Sequence, residues 1–201
     1  MNGGTFVGVI PAAGASTRMG APKALLDAAG IPFVAAAAGS LAKGGCDPVI
    51  VVVGPGQEGV AAAARRAGAT VMENPDPGEG PITSVRIALH GVPADAPGIA
   101  LLPVDHPCVR PQTVVALLIA AAERGTPLVV PVFAGARGHP TLFARSLFPA
   151  LREPGLEGGA RTVVRAHLDT ATLVEVDDPG VLADMDTPEE YRAAFGLPGS
   201  S

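Results

Sequence analysis

The chain is poor in cysteine: Cys46 and Cys108 are the only two among 201 residues. Two thiols so far apart cannot build a disulfide framework or a thiolate metal site, and their scarcity suits a reducing compartment. Each reads as a small buried apolar residue. Positive charge is also scarce, with 14 Lys and Arg against 19 Asp and Glu and a net charge of −5. That balance, with no basic cluster, excludes a broad electrostatic footprint for nucleic acid, so any anion must be held locally. No apolar run is long enough to cross a bilayer, and the first residues lack a basic stretch followed by an apolar one. The expectation is a soluble cytoplasmic protein with neither membrane nor nucleic acid as partner. No repeat recurs at a fixed period.

Small apolar residues are abundant. Hydrophobic residues make up 48% of the chain, enough for one sizeable core at this length. Apolar runs at 5–10, 49–53, 99–104 and 128–132 are short, rich in Val and Ile and not alternating, as in strands covered on both faces. Segments 32–43, 57–67, 81–92 and 111–124 read as helices, several opened by proline. The βαβα order predicts an α/β fold with a mainly parallel sheet and helices on both sides. Ligands of such sheets bind beyond the carboxyl ends of the strands, where strand order changes. After residue 132 the pattern loosens into a turn at 135–140, a strand over 139–144 and a short helix over 158–167. A last strand near 181–185 then precedes a helix with Thr187 as N-cap and Pro188 in its first turn.

The most telling segment follows the first apolar run: Pro11-Ala12-Ala13-Gly14-Ala15-Ser16-Thr17-Arg18-Met19-Gly20-Ala21-Pro22-Lys23. Gly14 and Gly20 reach dihedrals closed to other residues, and short Ala and Ser side chains let backbone N–H groups close on an anion. Arg18 offers a planar fork that grips two phosphate oxygens, and Lys23 a mobile point charge. A nucleoside triphosphate is the natural guest. The plain alternative, a small-residue turn that only packs strand against helix, is outweighed by the two cations. The segment lacks the Gly-x-Gly-x-x-Gly of a dinucleotide fingerprint, which weighs against a nicotinamide-dependent oxidoreductase. It is not a P-loop either, because Lys23 is followed by Ala24.

Asp105 lies in Leu101-Leu102-Pro103-Val104-Asp105-His106-Pro107-Cys108, at a strand end where ligands bind. Magnesium takes one or two carboxylates together with substrate phosphates, so Asp105 with Asp186 or Asp184 forms a plausible site. Taken singly, Asp105 reads as a turn residue, Asp186 as a helix cap and Asp184 as a solvated strand end. His106, near two prolines, reads as a local hydrogen-bonder outside the catalytic set. In the turn-to-helix segment 74–86, Gly80, Thr83 and Ser84 either present donors to a base or ribose or serve only as caps. Arg137-Gly138-His139-Pro140 either grips an acceptor phosphate or is a plain turn.

Together these segments resemble the MobA-like nucleotidyltransferase family, in particular its molybdenum-cofactor cytidylyltransferase branch, over almost the whole chain. The likeness rests on Ala12 to Gly20 with Lys23, on Pro103-Val104-Asp105-His106-Pro107, on Arg137-Gly138-His139-Pro140, on Gly158-Gly159-Ala160-Arg161 and on Asp184-Met185-Asp186-Thr187-Pro188-Glu189-Glu190, in that order. The resemblance implies a Rossmann-like three-layer nucleotidyltransferase fold with a mainly parallel, mixed sheet. Residues 1–201 would form one unit: 5–132 a nucleotide-binding half, 133–195 an acceptor-binding and closing half, and 196–201 a flexible tail.

The resemblance also implies roles. Ala12, Ala13, Gly14, Ala15, Ser16, Thr17, Arg18 and Lys23 would bind the nucleotide with Gly80 and Ser84. Arg18, Lys23 and Asp105 would be catalytic, Asp105 and Asp186 would hold Mg2+ with Asp184 as a further candidate, and Arg137 and His139 would bind the acceptor. The Ala-Ala-Gly opening looks like the cytidine-selecting branch, since the guanosine-selecting branch has another glycine in place of Ala13. The implied reaction is attack of a phosphorylated acceptor, molybdopterin or its molybdenum form, on the α-phosphorus of CTP, with pyrophosphate released and a molybdenum enzyme as recipient of the product. A GTP-using or other-acceptor transferase, and a non-catalytic carrier of the cofactor, are the readings left beside it.

Overall fold

The computed structural model describes residues 4–14 and 22–196. Along the chain run β1 (Val7–Pro11), the hairpin strands β2 (Asp27–Ala28) and β3 (Ile31–Pro32), α1 (Phe33–Lys43), β4 (Val49–Val53), α2 (Glu58–Arg66), β5 (Thr70–Glu73) and α3 (Pro81–Ala88). There follow β6 (Gly98–Leu101), α4 (Pro111–Arg124), β7 (Leu128–Phe133), β8 (Ala136–Arg137), β9 (Thr141–Ala144), α5 (Phe148–Arg152), α6 (Ala160–Ala166), β10 (Thr172–Glu175) and α7 (Pro188–Phe195).

The main sheet has the order β10-β7-β9-β6-β1-β4-β5, with β8 added to β7. Neighbours are parallel at β1–β4, β1–β6, β4–β5 and β7–β10, while β9 runs antiparallel between β6 and β7. The sheet is therefore mixed and mostly parallel, as the βαβα reading predicts. Its order turns at β1: the chain moves outward through β4 and β5, then returns to β6 on the other side. The crevice beyond the carboxyl ends of β1 and β6 is thus the place where the fold opens to a ligand.

Strand side chains divide between two cores because successive residues point to opposite faces. Ile10, Val51, Val53 and Leu142 join Val34 and Leu41 of α1, Val60 of α2 and Leu117 of α4 on one face. Val7, Val9, Val52 and Phe143 join Ile82 and Val85 of α3, Leu151 of α5 and Val163 of α6 on the other. The result is three layers. All of β4 is buried, which explains why that segment reads as an unbroken apolar run. Cys46 is buried and Cys108 half-buried; burial pushes the Cys46 thiol up to about 12, so it is a packing group rather than a nucleophile. Among the described residues no helix is long and apolar enough to cross a membrane.

The expected strand near 181–185 is not formed. Asp178 accepts hydrogen bonds from the Arg110 and Gly180 backbone N–H groups and from the Thr113 hydroxyl, and it fixes a 3-10 turn over Pro179–Val181 instead. Gly180 packs so closely that a Cβ there would lie 2.3 Å from the Cys108 carbonyl oxygen. The strand on that side is β10, and a second one, β5, closes the opposite edge. Each edge strand alternates or mixes exposed and half-buried positions, so neither carries the apolar run that marks the central strands.

Adjacent residues of β9 test the two cores separately. Leu142→Ala is expected to lower the free energy of urea unfolding by about 2–5 kcal/mol and Phe143→Ala by about 3–5 kcal/mol. A loss below 1 kcal/mol in either would mean that its face of the sheet is not packed as described.

Candidate active site

The crevice is a cavity of about 980 Å³, lined from the ends of β1 and β6, from the turn before α3, and from the segments around residues 139, 156–161 and 184–186. On its floor, Ala12 donates a backbone hydrogen bond to the Val52 carbonyl at 2.8 Å, continuing the sheet beyond β1. Gln57 joins the loops that follow β1 and β4: its carbonyl oxygen accepts from the Gly54 N–H at 2.7 Å, and its amide donates to the Gly14 carbonyl at 3.3 Å. Ala12, Ala13 and Gly14 therefore line the cavity in a fixed backbone. Ala15, Ser16, Thr17 and Arg18 lie outside the described residues.

Lys23 opens a 3-10 turn over Lys23–Leu25 and reaches back into the crevice. Its ammonium donates to Asp186 Oδ1 at 2.5 Å and lies 3.8 Å from Asp105 Oδ2, with the lysine side chain only 15% exposed. The two acids come from the middle and the last part of the sequence, and the backbone places them. The Met185 N–H donates to the Asp105 carbonyl at 2.9 Å, joining their segments. Met185 is buried in a cluster with Phe33, Tyr191 and Phe195. Thr187 and Glu190 form a capping box at the start of α7, and the Glu190 carboxylate also accepts from the Asp186 N–H at 3.0 Å.

Asp105 Oδ1 is buried with no hydrogen-bond partner among the described residues. Leaving such an acceptor unsatisfied costs about 1–3 kcal/mol, more for a charged group, and a hard cation would satisfy it. Among the described residues no group of three or more His, Cys, Asp or Glu is arranged to hold a metal. The donor set thus suits a cation that takes one or two carboxylates and completes its shell with substrate oxygens. Asp184 lines the same cavity and adds negative charge near His106.

Two histidines form the neighbouring wall. Their rings stand 4.8 Å apart, and Nδ1 of each is buried without a hydrogen-bond partner among the described residues. Burial pushes His106 below the usual imidazole range, opposed by Asp105, Asp184 and Asp186. The His106 Nε2 lies 3.9 Å from Asp105 Oδ1; with the ring neutral, this contact is not an ion pair. His139 is pushed down to about 3, first by burial, then by the neighbouring His106, which repels once it is protonated in acid, and by the Arg161 charge. Both rings are neutral at pH 7.

Gly80, just ahead of α3, and Ser84 within it line the cavity. Thr83 does not: its hydroxyl donates to the Gly80 carbonyl and accepts from the Asn74 amide, a local capping arrangement. Arg137 is exposed in the β7–β8 hairpin, opposite Val132, and is not among the cavity-lining residues. Its place is taken by Arg161, to which sequence reasoning gave no role. The available signal was the pair of glycines, Gly158 and Gly159, immediately ahead of a helix bearing a cation. Both have positive φ, 76° and 59°, and they turn the chain so that α6 begins over the cavity.

The pattern of the MobA-like NTP transferase domain matches residues 8–171. The nicotine blue oxidoreductase of Paenarthrobacter nicotinovorans is 31% identical, over 92% of this chain and 94% of its own. The molybdenum cofactor cytidylyltransferase of Escherichia coli K12 is 26% identical, over 92% of this chain and 93% of its own. The crystal structure of Rv0371c from Mycobacterium tuberculosis H37Rv superposes with a TM-score of 0.85 at 30% identity, covering 96% of this chain and all of that one. Its complex with manganese gives 0.82 at 28% identity, covering 98% of this chain and 100% of that one.

The buried His139 makes a pH signature. An imidazole normally titrates near 6.5 in an unfolded chain; here the folded value is about 3, so in between the unfolded state binds the extra proton. The stability this represents is present above about pH 6.5 and is lost as pH falls toward 3. Between pH 6.5 and 5, the unfolding free energy of the wild type is expected to fall more steeply than that of His139→Gln, by up to about 1.4 kcal/mol per pH unit. Parallel curves in urea titrations at several pH values would show that His139 is protonated in the folded state.

Proposed function

This chain belongs to the MobA-like NTP transferase family and is a nucleotidyltransferase, and from that premise we propose that it transfers cytidine monophosphate from CTP to the terminal phosphate of molybdopterin or its molybdenum form. Pyrophosphate leaves, and the product passes to a molybdenum enzyme. The observation that carries this reading is the convergence of Lys23, Asp105 and Asp186 beside the backbone of Ala12–Gly14, within one cavity. CTP is supported by Ala13, which stands where the guanosine-selecting branch has glycine, and by the name of the E. coli relative. That same name supports the acceptor.

An oxygen of the acceptor phosphate bonds to the α-phosphorus as the bond to the bridging oxygen of pyrophosphate breaks, and the electron pair departs with pyrophosphate. The attacking group is already anionic, so no protein nucleophile or general base is required. The work of the protein is to bring two anions together and to offset the charge on the leaving group. The small-residue turn at Ala13 and Gly14, together with Ala15, Ser16, Thr17 and Arg18, would cradle the triphosphate, while the Ala12 N–H stays bonded to the Val52 carbonyl and holds the turn to the sheet. Lys23 turns its flexible ammonium from Asp186 onto the phosphates. Asp105 and Asp186, with Asp184 at hand, would hold magnesium, which when bound supplies charge neutralisation at the triphosphate; the manganese complex of Rv0371c supports a divalent ion. Gly80 and Ser84 face the base or ribose. His139, neutral, exchanges hydrogen bonds with the acceptor without repelling or neutralising it. The two sequence halves, which share one sheet through β9, act as one unit in this scheme.

The test is incubation with magnesium, each of the four nucleoside triphosphates and molybdopterin, reading pyrophosphate and product mass. CTP alone is expected to yield equal amounts of pyrophosphate and cytidylylated product. Product from GTP would move the enzyme to the guanosine-selecting branch, and binding of the cofactor without pyrophosphate would make it a carrier. Consumption of NADH or NADPH would point instead to redox chemistry of the kind named in the P. nicotinovorans relative. Folded Lys23→Ala and Asp105→Asn variants are each expected to lose about 10²-fold or more in turnover, the scale of removing one preorganised electrostatic partner.

A further inference from the structure

Four side chains stand in file along the cavity wall. Lys23 lies 3.8 Å from Asp105, Asp105 lies 3.9 Å from His106, and the His106 ring is 4.8 Å from that of His139. Beyond His139 comes Arg161, close enough for its charge to act on that ring. The wall therefore has a cation at each end, and the mechanism above uses only Lys23.

Arg161 differs from the other arginines packed nearby. Arg86, Arg145 and Arg152 spend their guanidinium donors on backbone carbonyls, and Arg110 is paired with Asp178. Arg161 makes no hydrogen bond or ion pair among the described residues, although Glu157 lines the same wall. Its backbone is nevertheless fixed. Gly159 has a φ in the left-handed region, a Cβ added there would lie 3.4 Å from Ile82 of α3, and Thr162 donates its hydroxyl to the Glu157 carbonyl. An exposed guanidinium on a fixed turn, facing a cavity with its donors unspent, is suited to a planar anion-binding role.

We propose that Arg161 binds the anionic group of the acceptor, a phosphomonoester, an inference that rests on the nucleotidyl-transfer reading. Lys23 and Arg161 then draw two anions toward the middle of one wall from opposite ends. The neutral His139 between them adds hydrogen bonding without repelling Arg161.

The test is calorimetric titration with phenyl phosphate, a phosphomonoester on a flat ring. The protein is first saturated with magnesium and a CTP analogue whose α,β-bridging oxygen is replaced by methylene. Wild-type protein is expected to bind phenyl phosphate, Arg161→Ala at least tenfold more weakly, and Arg161→Lys at an intermediate level. Arg165→Ala, one turn further along the same helix and not among the cavity-lining residues, is expected to bind as wild type, and affinity for the CTP analogue should change less than twofold throughout. Arg161→Gln replaces Arg161→Ala if thermal unfolding shows the latter to be misfolded. Unchanged phenyl phosphate binding in the Arg161 variants overturns the proposal, as does no binding by the wild type, or an equal loss of affinity for the CTP analogue. The pyrophosphate assay reports the reaction independently, so turnover with CTP and molybdopterin alongside a failed titration removes only the role of Arg161.

Discussion

Lys23 sits between two carboxylates that would otherwise repel each other across a partly buried cleft. Unit charges 4 Å apart interact by about 4 kcal/mol at an effective dielectric of 20, comparable to the contribution of a large core side chain. A single ammonium, 2.5 Å from Asp186 and 3.8 Å from Asp105, converts that repulsion into a three-body arrangement open to solvent on the Asp186 side. Much of the architecture serves to keep those three groups in place. The turn of strand order at β1 brings the loop carrying Lys23 and the end of β6 side by side, and the capping box of α7 presents the third member.

The histidine pair shows how the same wall manages its polarity. Two imidazoles at the centre of a site rich in carboxylates would normally gain protons, yet burial holds both neutral. A charged pair there would compete with Lys23 for the acids; a neutral pair leaves the cationic charge at the ends of the wall. The unsatisfied Oδ1 of Asp105 and the two unsatisfied Nδ1 atoms are a local cost that the surrounding packing sustains, the usual mark of a surface shaped for a ligand rather than for stability alone.

The central strands were legible because each is buried on both sides, so Val49–Val53 and Leu128–Phe133 appear almost residue for residue as apolar runs. Helices α1 and α4 were equally plain, with proline at or just before their first turn. The edge strands β5 and β10 were not, because an edge covered on one side mixes polar and apolar residues like a loop. Residues 181–185 misled for the opposite reason: Val181 and Met185 are buried as anchors of an irregular segment, and apolar content alone does not separate an anchor from a strand. Of the candidate site, Lys23, Asp105 and Asp186 could be named from local motifs, and the structure brings them together. On sequence alone Arg137 is assigned to the acceptor and Arg161 has no role, since both follow or adjoin glycine-bearing turns and only the tertiary path decides which one faces the crevice.

The clasp of Phe33 with Tyr191 and Phe195, at ring separations of 6.0 and 5.8 Å, fastens α7 to the start of α1. Lys23 and Asp186 are 163 residues apart, so on the ribosome the lysine emerges long before the acid that will hold it. A nascent copy, or one cut short ahead of Asp186, carries the glycine-bearing loop but lacks both this acid and the aromatic fastening. Until Asp186 and the helix that follows it have been made, the crevice lacks one of its acids and the aromatic contact that anchors it.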